Sequence, residues 1–364
     1  MTALAKKLFI HELHVEAEAH LGQFGDWEVP LYFSTILEEH EAVRTKAGLF
    51  DISHMGEFFV TGRQAKGFLD FVLPRNLERL KDGKALYSPM LNEKGGIVDD
   101  LIVYQIHEAK FLLIVNAGNV DKDFDWLRSE LPAGIELTNR TDELFLFALQ
   151  GPRALGIAKR LFDCDFSSLG YYHFLSRKTA WGELFISRTG YTGEDGLEIM
   201  GEARQASEVW RALMKAGTPE GLRPAGFGAR DTLRLEAAML LYGQDLDDTT
   251  SPVEAGISWA VDLDKENFIG QERLQREKEE GTSRKLAGFE MTERGIPRHG
   301  FEVRKGDRAL GVVASGGPAP TLKKNIGLAY VPAAEAGLGN ELEIIIRERP
   351  VRARIVKTPF YKRK

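Results

Sequence analysis

The 364-residue chain has one cysteine, no apolar run of membrane-spanning length and no concentrated basic face. A single thiol, Cys164, excludes an internal disulfide and any multi-cysteine metal or iron-sulfur centre, which leaves a small core residue or a lone nucleophile. The longest apolar stretches, residues 111–115 and 144–149, are strand-sized, so no membrane role is expected. The formal net charge of -6 argues against nucleic acid as a partner, because phosphate neutralisation needs clustered cations. Only Lys362-Arg363-Lys364 forms such a cluster, and short tails of this kind are usually just solvated. Near the start, Lys6 and Lys7 precede Leu8, Phe9 and Ile10 and then acidic residues, a pattern without secretory or transit character. The expected location is cytoplasmic. Also absent are G-x-G-x-x-G after a strand, G-x-x-x-x-G-K-[ST], G-x-S-x-G and H-E-x-x-H, since His11 and His14 sit one residue too close for a zinc helix. Neither a nucleotide nor a metal is expected.

What is present is an ordinary globular balance, 43% hydrophobic and 28% charged, in a length that suits roughly two to three domains. A charged run at residues 277–284 separates two regions. Downstream, short β-like segments at 285–291, 301–304, 310–314, 326–331, 342–347 and 351–356 alternate with glycine turns. They predict a small β-barrel or sandwich as a domain over 284–364. Upstream, residues 1–283 mix strands and helices and carry an internal repeat: the strand at 58–61, Gly62 and a helix at 65–73 lie over 147–150, Gly151 and a helix at 154–162 at a constant offset. Each unit continues into a strand-turn-strand with an acidic turn, Gly95-Gly96-Ile97-Val98-Asp99-Asp100 in one and Gly193-Glu194-Asp195-Gly196 in the other, followed by helices at 121–131 and 205–216. The expected fold class is α+β, two related halves whose acidic turns face each other across a central cleft, plus the C-terminal β-barrel.

The candidate chemistry sits in three places. Residues 97–104 form a nearly continuous apolar strand, which points to burial on both faces. Strand parity puts Asp100 with Val98, Ile102 and Tyr104, and Asp99 with Ile97, Leu101 and Val103, so both carboxylates are expected in apolar surroundings. An unpaired buried carboxylate costs on the order of several kcal/mol, so the pair either caps the Gly95-Gly96 turn at a wet strand end or marks a site for nitrogen-rich or cationic chemistry. The second acidic turn, residues 189–196, offers Tyr191 for stacking and Glu194 for a heterocycle with adjacent N–H donors. By its residues alone it reads more simply as an ordinary hairpin turn. Arg230 lies in the first turn of a helix entered through a Gly-containing loop, where a cation opposes the helix dipole. It either binds a ligand or forms a salt bridge with Asp231 or Glu236.

Four segments then carry a resemblance: residues 50–57 (FDISHMGE), 86–100 (LYSPMLNEKGGIVDD), 188–196 (RTGYTGEDG) and 226–236 (GFGARDTLRLE). In these, and in their order from about His14 to Pro359-Phe360, the chain resembles the T proteins of the glycine cleavage system, which are tetrahydrofolate-dependent aminomethyltransferases. The resemblance implies a folate-binding region of related α+β subdomains around a central hole, and a C-terminal barrel. It implies transfer of a methylene carbon from the aminomethyl-lipoyl arm of H protein to tetrahydrofolate, with release of ammonia and no metal. Carried over by position, Asp100 matches the catalytic aspartate, Glu194 a pterin-binding residue and Arg230 another folate contact. Tyr87, Asn116 and Met55 lie in matching pocket-lining segments, Tyr104 joins them from Asp100's face of the strand, and Tyr361 corresponds to a C-terminal aromatic. The chain departs from the family at Ala17-Glu18-Ala19, at Asp26 and at residues 315–322, where H protein docking and the barrel's contact with the cleft are at stake. Two other functions share the implied fold: a folate-dependent demethylase, often fused to a flavin domain, and a non-catalytic folate-binding assembly factor. The latter group carries a cysteine motif where this chain has Met239-Leu240-Leu241-Tyr242-Gly243-Gln244-Asp245.

Overall fold

The computed structural model describes residues 5–363; residues 1–4, and Lys364 at the end of the basic tail, lie outside the described residues. The chain begins with β1 (Lys6–Lys7), α1 (His11–Glu16), β2 (His20–Phe24) and β3 (Trp27–Tyr32), whose strands form a sheet in the order β1-β3-β2. Next come α2 (Ile36–Thr45), β4 (Ala47–Asp51), β5 (Gly56–Thr61), α3 (Ala65–Val72), β6 (Lys84–Leu91), β7 (Ile97–His107), β8 (Lys110–Val115), α4 (Val120–Ser129) and β9 (Glu136–Asn139). They are followed by β10 (Leu144–Gln150), α5 (Ala154–Phe162), β11 (Phe174–Thr179), β12 (Gly182–Ser187), β13 (Gly196–Glu202), α6 (Ala206–Gly217), β14 (Leu222–Pro224) and α7 (Phe227–Glu236). Last are α8 (Gln271–Glu280), β15 (Arg284–Met291), β16 (Glu302–Lys305), β17 (Arg308–Ala319), β18 (Lys324–Pro332), β19 (Glu341–Ile346) and β20 (Arg349–Val356).

Two sheets share one strand order. The first runs β6-β7-β8-β5-β9 and the second β11-β12-β13-β10-β4-β14, so the order differs only by the insertion of β4. Helices α3 and α5 follow the equivalent strands β5 and β10, and α4 and α6 follow β8 and β13. The chain divides into two compact units, Met1–Ala65 with Leu80–Leu86 and Ile102–Asp231, and Lys66–Arg79 with Tyr87–Leu101 and Thr232–Lys364.

In the first unit every residue of β10 is buried, as a continuous apolar strand covered on both faces should be. Phe145, Phe147 and Leu149 meet Ile157 and Ala158 of α5 and Val209, Trp210 and Leu213 of α6. Those helix positions recur at spacings of three and four, which lays one apolar stripe on the sheet. Cys164 joins this core as a partly buried neighbour. Thr35 starts α2 by accepting the Glu38 N–H at 3.2 Å, and α5 ends on Asp163 in the left-handed region at φ 47°.

In the second unit β15-β18-β17-β16-β19-β20 close into a barrel. Alternate residues fill it: Ala287, Phe289 and Met291 from β15, Leu342 and Ile344 from β19, Ala353 and Ile355 from β20. All six expected strands form, and the third runs well beyond its expected 310–314, bent by a bulge between Val313 and Ser315. Among the described residues no helix is long and apolar enough to cross a membrane.

One buried charge stands apart in the first unit. Glu57 on β5 is fully buried, and neither of its carboxylate oxygens has a hydrogen-bonding partner among the described residues. Burial first, and the nearby Asp142 second, hold its carboxyl well above the ordinary 4.5. The folded state therefore binds this proton more tightly than the unfolded chain, and stability falls as pH rises from 4.5 through the raised value. Glu57→Gln keeps the shape and removes the charge, so its advantage in urea midpoint over the parent should widen with pH. A gap that stays constant from about pH 4 to about pH 9 would count against this account.

Candidate functional site

The segment that opens β7 is built by Asn92. Its side-chain oxygen accepts the N–H groups of Lys94 and Gly96, both at 3.0 Å, and its side-chain nitrogen donates to the Asp248 carbonyl at 2.9 Å. A Cβ on Gly96 would lie 1.7 Å from that Asp248 oxygen, so the position takes only glycine. The Ile97 N–H donates to the carbonyls of Asp247 and Thr250, at 3.2 and 3.0 Å. The Asn92 side chain thus caps this turn. Along β7 the odd positions Ile97, Asp99, Leu101 and Val103 are buried. On the even face Asp100 is only half-buried, which corrects the expectation that both carboxylates sit in apolar surroundings. Tyr87 donates its hydroxyl to Asp100 Oδ2 at 3.0 Å, and its ring stacks on Trp259 at 5.4 Å.

The second acidic segment, residues 188–195, links β12 to β13 and is no ordinary hairpin turn. Arg188 closes it with a two-pronged pair to Asp195, Nε to Oδ1 at 2.9 Å and Nη2 to Oδ2 at 2.6 Å. Gln150, fully buried at the end of β10, fills the inside: Nε2 donates to the Thr189 carbonyl at 3.1 Å, and Oε1 accepts from Thr192 Oγ1 at 2.8 Å. Gly190 and Gly196 pass so close that Cβ atoms there would lie 2.0 and 2.5 Å from the Gln150 side chain. Glu194 is turned inward, accepting Arg44 Nη1 at Oε1 at 3.0 Å, with the two side chains only 5% and 6% exposed. Arg44 also donates to the Thr192 carbonyl at 2.7 Å.

Behind this loop lies a hydroxyl cluster. Ser187 Oγ and Thr189 Oγ1 are 2.7 Å apart, and the Tyr104 hydroxyl is within 3.4 and 3.3 Å of them. Thr189 Oγ1 donates to Glu198 Oε2. Burial raises the pKa of both the Tyr104 phenol and the Glu198 carboxyl, while Arg230 pulls Glu198 back down. Tyr104 is buried within the sheet, so it supports the loop from behind. Arg230 enters with α7, whose approach is fixed by the buried Glu39 accepting the Gly226 N–H at 2.8 Å. Its guanidinium lies over the Tyr191 ring, 4.7 Å from the centroid. Burial, and then Arg230, pushes His54 down to about 3, so this ring, packed on Phe227 at 4.8 Å, stays neutral.

Met55 and Asn116 are both half-buried and flank the paired residues Gly56 and Val115, so they share one end of the β5–β8 pair. The FDISHMGE segment is anchored just before them, where Asp51 takes His14 Nε2 at 2.9 Å and the Ser53 hydroxyl at 2.6 Å. Tyr361 donates its backbone N–H to the Glu236 carbonyl at 2.8 Å. Asp100 and Tyr87 belong to the second unit, and Glu194, Arg230, Tyr104, Met55 and Asn116 to the first. Arg44, Gln150, Glu198 and His54 were not singled out from sequence. Only Glu198, a carboxylate alternating with apolar residues in β13, left a local signal.

Residues 10–265 match the family model of the GCVT N-terminal domain, and residues 284–362 that of the glycine cleavage T-protein C-terminal barrel domain. The chain belongs to the aminomethyltransferase family of the glycine cleavage system. It is 51% identical over 343 residues to the aminomethyltransferase of Bacillus pumilus, covering 93% of this chain and 94% of that one. It is 46% identical over 358 residues to the aminomethyltransferase of Desulforamulus reducens, covering 98% of each. Among solved structures, the glycine cleavage system aminomethyltransferase T of Bartonella henselae superposes with a TM-score of 0.92 at 34% identity over 98% of both chains. Within this aminomethyltransferase fold, Gly96→Ala should displace the Asp248 backbone and lower stability by about 1–3 kcal/mol. An unchanged urea midpoint in that variant would show that the segment yields.

Proposed function

We propose that the chain transfers the methylene carbon of aminomethyl-lipoyl H protein to tetrahydrofolate. The C–S and C–NH2 bonds of the donor break, two C–N bonds form to N5 and N10, and the products are 5,10-methylenetetrahydrofolate, ammonia and the free lipoyl thiol. The two protons leaving N5 and N10 are taken up by the departing sulfur and the departing amine. Asp100 is the catalytic residue. Its carboxylate orients the folate amines, favours the cationic iminium-like state of the carbon in transit and relays a proton. The observation carrying this assignment is the pairing of a half-buried Asp100 with the Tyr87 hydroxyl, beside a fully buried Asp99.

Glu194 accepts the pterin's adjacent N–H donors, held in orientation by Arg44. Arg230, Tyr87, Asn116 and Met55 contact the folate, and the buried Tyr104 supports the loop that carries Glu194. Residues 1–283 serve as the folate-binding domain and 284–364 as the barrel domain. The enzyme works in the cytoplasm, and no step is assigned to a metal, a nucleic acid or a membrane.

The test is formation of methylenetetrahydrofolate and ammonia from tetrahydrofolate and aminomethylated H protein. Asp100→Asn should lower kcat by at least ~10²-fold, and near-parental turnover would remove the role given to Asp100. Glu194→Gln should raise KM for tetrahydrofolate about tenfold with a smaller change in kcat. Folate binding by the parent protein without any turnover would favour the assembly-factor function instead.

A further inference from the structure

Trp259 is the most exposed aromatic side chain among the described residues, at 64%. Burial therefore does little to hold it in place. The backbone at Trp259 is nevertheless held by polar contacts within the second unit. The Trp259 carbonyl accepts Arg75 Nη1 at 2.6 Å, and Arg75 Nε lies 3.6 Å from Asp262 Oδ2. Lys265, nearly buried, spends its ammonium on the chain leaving α3: it donates to the carbonyls of Asp70, Leu73 and Arg75, the last two at 2.9 and 2.8 Å, and pairs with the Asp70 carboxylate at 3.2 Å. Three backbone acceptors on one buried cation make a rigid platform. Arg75 leaves that platform to hold Trp259.

The indole lies against the Tyr87 ring with an interplanar angle of 28°. The opposite end of Tyr87 reaches Asp100. A phenol hydroxyl sits far from its backbone, so a change of side-chain rotamer carries it out of hydrogen-bonding range. A ring stacked on one face removes part of that freedom, and Tyr87 also packs against the cluster of Leu91, Ile97, Leu246 and Phe268.

We propose that Trp259 is a positioning residue for Asp100, acting through the Tyr87 ring rather than by touching the folate or the one-carbon unit. The proposal rests on the catalytic role given to Asp100. Losing the indole releases Tyr87 to alternative rotamers and thins the population in which its hydroxyl meets the carboxylate. A hydrogen bond donated to a carboxylate favours the charged form. The acid limb of the rate profile should therefore move to higher pH when the stack is lost.

The experiment compares Trp259→Ala, Trp259→Phe, Tyr87→Phe and the double variant Tyr87→Phe/Trp259→Ala in the full-length protein with aminomethylated H protein and tetrahydrofolate. Trp259→Ala should lower kcat about tenfold, leave KM for tetrahydrofolate within about twofold and move the acid limb upward. Trp259→Phe, which keeps a ring on Tyr87, should restore most of the rate and the profile. In the Tyr87→Phe background, Trp259→Ala should move the acid limb no further. An effect confined to KM, or an acid-limb shift that adds in full to that of Tyr87→Phe, would overturn the proposal.

A readout free of turnover separates the proposal from the assignment of Asp100. In protein labelled with 5-fluorotryptophan, the Trp259 resonance is identified by its loss in Trp259→Phe and should shift in both Tyr87→Phe and Asp100→Asn. A resonance that ignores both changes sinks the coupling even if Asp100→Asn is inactive. A resonance that responds while Asp100→Asn turns over normally keeps the coupling and removes the catalytic role.

Discussion

The loop between β12 and β13 depends on one buried amide. Gln150 offers a donor and an acceptor at the end of a fully apolar strand, and the loop wraps both. An amide buried without partners costs about 1–3 kcal/mol, so the loop's closure and the strand's burial stabilise each other. The glycines at 190 and 196 follow from this contact, because the chain passes where any side chain would collide with the peg. With the loop wrapped, Glu194 turns inward to Arg44, Thr189 reaches Glu198, and Tyr191 presents its face to Arg230.

Arg230 then sets the charge balance of that region. Burial works against the ionised form of Glu198 and against the protonated form of His54, and the guanidinium opposes the first tendency and reinforces the second. The result is a cation whose counterweights are a carboxylate and an aromatic face, beside an imidazole that carries no charge near neutrality. His54 accordingly contributes no titration in the physiological range.

Much of the fold was legible because it is written in local periodicity. Alternation gave the six barrel strands, and a repeated strand-glycine-helix pattern anticipated the shared order of the two sheets. Parity along β7 separated two faces but could not say which is covered, since coverage comes from segments far away in the chain. Asp100 is the more accessible of its pair only because of what packs elsewhere. The shape of the acidic loop is hidden from local sequence for the same reason: Arg44 lies 150 positions before the Glu194 it meets, and Gln150 has no motif around it. The resemblance to a known family located Glu194 where local turn chemistry did not. It was silent on why the residue points inward.

The first amide of β7 depends on the carbonyls of Asp247 and Thr250, which are translated long after it. At roughly 5–20 residues per second, the ribosome leaves that N–H without its native acceptors for on the order of ten seconds. Water must serve it meanwhile. The strand bearing Asp99 and Asp100 can therefore lock its starting edge only once synthesis is well past the middle of the chain. A nascent chain stalled earlier than this holds both carboxylates on an unfinished edge, however complete its preceding sheets are.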